Sequence, residues 1–121
     1  MKNIYNIFLF MGLLIASATS GYAEAFVYDI DPSRTSVNEA QKKMHLALRV
    51  NVNWTSFPKA ERAKLKTIMK NDVKLRNCAA LKASKTEFNY IKKPGGLVEA
   101  ELRDAKGVVI FVAKIPWTAC K

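Results

Sequence analysis

The stretch PKAERAKLKTIMKNDVKLRNCAALKAS, Pro58 to Ser84, has no Gly and no Pro after its first residue. A run of that length, rich in Ala, Leu and Lys, favours helix throughout. Leu65, Ile68, Met69, Leu75 and Ala79 recur at helical spacing and predict a core-facing stripe. Ser56 stands where an N-cap belongs, and Pro58 falls in the first turn, where its missing N–H removes no intrahelical bond. On the side opposite the stripe fall Lys59, Arg62, Lys66, Lys70 and Lys74, a cationic ridge with spacings of three and four. Asp72 falls within the apolar side, so it needs a basic partner or a bend in the helix. Cys78, on the same helix, fixes where the rest of the chain can be tied.

With 121 residues, half of them hydrophobic and a quarter charged, the chain has the material for one domain with a modest core and is not of disordered composition. Its formal charge is +10, from 20 Lys and Arg against 10 acids. The imbalance is local: Ala40 to Lys93 holds fourteen bases and three acids, whereas Glu24 to Glu39 holds four acids and one Arg. A concentrated positive field attracts nucleic acid, anionic lipid, acidic glycan or an acidic protein face, and does not choose among them.

Met1 to Ala23 has the three parts of a secretory signal peptide. Lys2 begins it, Ile4 to Ala18 is the apolar run, and Ala18–Thr–Ser–Gly–Tyr–Ala23 is the small-residue end, with cleavage expected between Ser20 and Ala23. The expected products are residues 1–23, removed, and a single small α+β domain over 24–121, periplasmic or secreted. Two cysteines in an exported chain predict a disulfide, Cys78 to Cys120. There is no CxxC pair, and one His with two distant thiols does not make a metal site.

Phe26 to Ile30 reads as a short edge strand, followed by a turn at Asp31–Pro32–Ser33. Ser36 to Glu39 fits a capping box, and Val37, Ala40, Met44, Ala47 and Leu48 continue a helical stripe. Met44 to Trp54 also alternates like a strand, so residues 44–54 fit both templates. Helix is the expectation for Ser36 to about Val50. Thr86 to Ile91 reads as a strand, Lys92 to Gly96 as a turn, and Leu97 to Arg103 as an alternating strand. Asp104 to Gly107 then forms a hairpin loop, and Val108 to Ala113, apolar on both faces, reads as a central covered strand. The expected fold is two helices packed on a small antiparallel sheet with a C-terminal β-hairpin, locked by Cys78–Cys120.

No nucleophile elbow, phosphate-cradling glycine loop or metal-ligand spacing occurs. His45 is the single histidine and has no acidic neighbour in sequence. Glu99 and Glu101 share one strand face, which paired carboxylates could use and which an exposed strand explains equally. The expectation is therefore a non-enzyme without cofactor or metal.

The stretch SFPKAERAKLK, with Arg76 and Cys78 beyond it, resembles the repeat of LprI-type lysozyme inhibitors, whose Trp–x–x–x–Arg stretch ends in Cys. Here Asp72 stands where that Trp belongs, and the Arg-to-Cys spacing is shorter. The stretch GGLVEAELRDAKGVVIFVAKI is similar to the hairpin of PepSY domains, which occur in protease propeptides and inhibitor-like modules. Both resemblances imply inhibitory binding modules of the cell envelope. The functional expectation is a small basic binding protein, an inhibitor or immunity-type partner of an envelope or secreted hydrolase. Its ridge, Lys59, Arg62, Lys66, Lys70 and Lys74, would meet an acidic surface. The alternative is a polyanion binder, for acidic glycan, nucleic acid or anionic membrane.

Overall fold

A computed structural model describes residues 26–120. The expected signal peptide, Met1 to Ala23, lies outside the described residues. The elements are β1 (Tyr28–Ile30), β2 (Ser36–Asn38), β3 (Lys43–Val50), α1 (Lys59–Ala83), β4 (Leu97–Arg103) and β5 (Val109–Pro116), with short 3-10 turns at Pro32–Arg34, Trp54–Ser56 and Trp117–Cys120. The strands form one mixed sheet. β1 and β2 pair antiparallel with opposite ends of β3, β3 pairs parallel with β4, and β4 pairs antiparallel with β5.

The fold is α+β with one disulfide, but it departs from the expected arrangement in three ways. Among the described residues there is one α-helix and not two, because Ser36 to Val50 forms β2 and β3. The alternation wins over the helical stripe there because it puts Met44, Leu46, Leu48 and Val50 together in the core. The sheet is mixed and not antiparallel. α1 carries the chain from β3 back to start β4 alongside it, and such a crossover makes the pair parallel. β4 therefore lies between β3 and β5 inside the sheet, and the C-terminal β pair is not a hairpin set apart from the rest. Ser36 sits in a strand, so it caps no helix.

β5 is an edge strand and not a covered central one. The register slips between Leu102 and Arg103, which places the consecutive residues Ile110 and Phe111 both inward. Val109 and Val112 are 45% and 48% exposed. Apolar residues on both faces thus reflect a bulge, not burial on two sides. Thr86 to Ile91 is a series of turns. Phe88, Tyr90 and Ile91 are buried there as anchors without strand pairing.

Even-numbered positions of β3 and β4 face α1, giving a core of Met44, Leu46, Leu48, Val98, Ala100 and Leu102 against Met69, Val73 and Leu81. The helix is rotated from its expected setting: Leu75 is 58% exposed and Ala79 is exposed, while Arg76, Asn77 and Cys78 are buried. The cause is a polar cluster on the core side. Arg76, 2% exposed, bonds Asp72 Oδ1 through Nε at 3.0 Å and lies 5.0 Å from the centre of the Tyr28 ring. Asp72 thus has its basic partner one helical turn on. Cys78 and Cys120 are bonded, with Cα atoms 5.2 Å apart and a sequence separation of 42. Closing a loop of that size stabilises the fold by about 4 kcal/mol in the chain-entropy description.

Two loop residues fix the sheet's ends. A Cβ on Gly96 would sit 1.7 Å from the Ile91 carbonyl oxygen, so only Gly fits where the chain enters β4. Asp104 is fully buried in the β4–β5 loop. Its carboxylate accepts from the N–H groups of Trp54, Lys106 and Val108 at 3.0, 2.9 and 2.8 Å. Burial pushes its pKa up, but the N–H bonds outweigh that and hold the carboxyl below its ordinary range.

Candidate functional site

Helical periodicity places the five ridge residues, and the structure splits them. Arg62 precedes Met69 by seven residues and Val73 by eleven, close to two and three whole turns. Arg62 and Lys66 therefore continue the core-facing line of Met69 and Val73 towards the start of the helix, and are not on the opposite side. Both are half-buried, whereas Lys59, Lys70 and Lys74 are exposed. The physical reason is overhang: the second half of α1 packs on apolar residues, while its first turns project past them over Trp54.

Beneath that overhang is a recess of about 410 Å³ lined by Trp54, Lys59, Arg62, Ala63 and Lys66. Trp54 is 6% exposed, packs edge-to-face on Phe57 with ring centres 6.3 Å apart, and is held through its N–H by Asp104. The wall is thus rigid. Arg62 Nε is buried and has no hydrogen-bond partner among the described residues. The N-cap of α1 is Pro58 and not the expected Ser56; proline has no side-chain acceptor, so no side chain caps the helix, and the Ser56 hydroxyl in the preceding turn donates to the Asn53 carbonyl at 2.6 Å. The uncapped N–H groups of the first turn add positive potential at this end. Among the described residues no ion pair reaches Lys59, Arg62, Lys66, Lys70 or Lys74. Lys70 Nζ lies 5.9 Å from the centre of the Phe111 ring. The structure brings Lys59, Arg62 and Lys66 together around the recess and leaves Lys70 and Lys74 outside it.

The sheet face away from α1 is also charged, but its charges meet. Glu101 accepts from Arg34 Nη2 and, at 3.0 Å, from Arg103 Nε. Glu99 Oε1 lies 3.1 Å from His45 Nδ1, and its Oε2 lies 4.0 Å from Lys43 Nζ. The hydrogen bond to His45 holds the Glu99 carboxyl below its ordinary range; partial burial opposes this, and Lys43 and Lys114 assist it. Ser36, His45 and Glu99 come from adjacent strands in register and line a second depression of about 220 Å³ with Asn38, Gln41 and Lys43. His45 thus acquires the acidic neighbour that the linear sequence does not give it. Among the described residues the Ser36 hydroxyl makes no hydrogen bond to His45, so no nucleophile–base pair is formed there.

Sequence reasoning missed Trp54 as a wall of the recess, because it was read as the last residue of an alternating run. An aromatic residue four to five positions ahead of a cation-bearing helix start was the available signal. The anchoring role of Asp104 had no such signal, since its partner Trp54 is fifty residues away. No helix among the described residues is long and apolar enough to cross a membrane. No protein-family model, no curated protein and no solved structure matches the chain.

Proposed function

We propose that the chain is an exported, non-enzymatic binding protein, an inhibitor or immunity-type partner of an envelope or secreted hydrolase, that meets an acidic protein surface with the first half of α1. The observation that carries the reading is that Lys59, Arg62, Lys66, Lys70 and Lys74 meet no acid among the described residues, whereas Arg34 and Arg103 on the sheet face share Glu101, and Lys43 and His45 share Glu99. Cations held without acids keep their field available for a partner, which raises association rates and selects acidic surfaces. The signal-like Met1 to Ala23 and the Cys78–Cys120 bridge support an oxidising, exported setting.

Three of the cations converge on one recess, which favours a discrete partner over a polyanion lattice. A nucleic-acid track would interleave exposed aromatics for stacking, and the one aromatic in the recess is buried. The test is capture: oxidised protein on beads, envelope and secreted fractions passed over, and elution by a salt gradient. One discrete protein retained into high salt, and lost when Lys66 and Lys70 are changed to Glu, is the expected result. A heterogeneous eluate of nucleic acid, glycan or lipid leaving at modest salt would overturn it.

A further inference from the structure

The recess under the start of α1 has a composition that a flat protein contact does not require. It is lined by Trp54, Ala63, Lys59, Arg62 and Lys66, mostly through apolar surface, and its charged side chains are all cationic. Its volume of about 410 Å³ falls within the range of small-molecule sites, and is several times what one carboxylate group fills. Arg62 stands on the core-facing line of the helix, where an apolar residue is the ordinary choice. Its Nε is buried there with no partner among the described residues. A guanidinium with no acid partner among the described residues, lining a largely apolar recess beside two lysines, suits an acceptor that brings apolar substance with it.

We propose that this recess binds a small amphipathic organic anion. The carboxylate or equivalent oxyanion pairs with Arg62, flanked by the ammonium groups of Lys59 and Lys66, and an aromatic or branched aliphatic body lies against Trp54 and Ala63. Charge alone is insufficient for such a ligand, since most of the contact is apolar, and an apolar body alone leaves the Arg62 donor unmet. The inference goes beyond the protein-partner reading and stands without it, because Lys70 and Lys74 lie outside the recess. A bound anion would engage three of the five ridge cations and so compete with an acidic partner.

The test is isothermal titration of the oxidised protein with 4-tert-butylbenzoate, beside inorganic sulfate (charge without the body) and 4-tert-butylbenzamide (body without the charge). Emission from Trp54 is followed in a Trp117→Phe background, which leaves one Trp to report. The benzoate should bind saturably, one per chain, with Kd on the order of 1 mM or tighter, and shift the Trp54 emission. Sulfate and the amide should each bind at least about tenfold more weakly, and Arg62→Gln should weaken the benzoate by about tenfold. Lys82→Gln, at the far end of α1, should leave it unchanged. Equal binding of sulfate would make this a plain anion site, and equal binding of the amide an apolar patch. Either result, or an Arg62→Gln protein that is folded by circular dichroism and titrates like the wild type, overturns the proposal.

Discussion

The two charged faces of this small protein are built from the same residue types and behave in opposite ways. On the open face of the sheet, Arg34 and Arg103 share Glu101, and Lys43 and His45 share Glu99, so each acid stands between two basic groups. Along α1 from Lys59 to Lys74, the residues Lys59, Arg62, Lys66, Lys70 and Lys74 meet no acid among the described residues, and the Arg62 Nε is buried without a partner there. Exposed or half-exposed pairs contribute little each, yet they reduce the positive field over the sheet. The helix face neutralises none of these cations through an ion pair among the described residues and retains the field. Net charge therefore says little about this protein until its distribution between the two faces is known. The acids serve the fold, and the bases of α1 remain available to something outside it.

If that division holds, the largest effect should come from an acid. Asp104→Ala leaves the N–H groups of Trp54, Lys106 and Val108 without their acceptor in a buried loop. Each lost partner exposes a desolvation penalty, and the substitution should destabilise the protein by about 3 kcal/mol in urea unfolding. The depressed pKa of Asp104 gives the sign with pH. Its contribution is present above the unfolded carboxylate range and fades as pH falls through the folded value, so the mutant deficit should shrink in acid. A deficit below about 1 kcal/mol at neutral pH would show that the loop is held by other means.

A sharper comparison sets one residue from each face against the other and predicts opposite signs. Glu101→Gln deprives Arg34 and Arg103 of their shared carboxylate and should cost about 1 kcal/mol. Arg62→Met removes a half-buried unpaired cation, keeps the length of the side chain and should stabilise by about 1 kcal/mol. Paired urea titrations of the two variants decide the matter. If Arg62→Met destabilises as much as Glu101→Gln, the guanidinium is part of the packing and the division between the faces fails.

The parts of the fold legible in the sequence are those in which local pattern and final environment agree. The length of α1, the Cys78–Cys120 bridge, the alternation of Leu97 to Arg103 and the positive φ of Gly107 all belong to that group. Failures occurred where a distant segment decides. Ser36 to Val50 carries two periodicities, and only a parallel neighbour, β4, selects the strand. Val108 to Ala113 looks two-sided because a bulge opposite Leu102–Arg103 changes its phase. The five ridge residues were visible as a set, but their split was not. Which side of α1 faces inward is set by Arg76, Asn77 and Cys78, two of them polar, and hydrophobic spacing gives these no weight. The recess was invisible for the same reason, as it needs Trp54 held from fifty residues away by Asp104.

The smallest effect tests the sheet face at the less buried of its two shared glutamates. Glu99 has a carboxyl held below its ordinary range, first by the His45 hydrogen bond and then, against the opposing effect of burial, by Lys43 and Lys114. A group whose folded pKa is lowered adds stability above its unfolded pKa, and loses it as pH falls through the folded value. Glu99→Gln should therefore unfold at lower urea than the wild type at pH 7, with the two midpoints converging as pH is taken down to about 2.5, below the carboxylate range. Lys66→Gln provides the contrast from the other face. It has no acid partner among the described residues, so any difference from the wild type should stay level across the same pH series. Convergence for Glu99→Gln with a level trace for Lys66→Gln would show one face coupled to its protons and the other free of them. Parallel traces for both would mean that the His45–Glu99 contact contributes nothing in solution, and the sheet face would then be held by the pairs of Glu101 with Arg34 and Arg103.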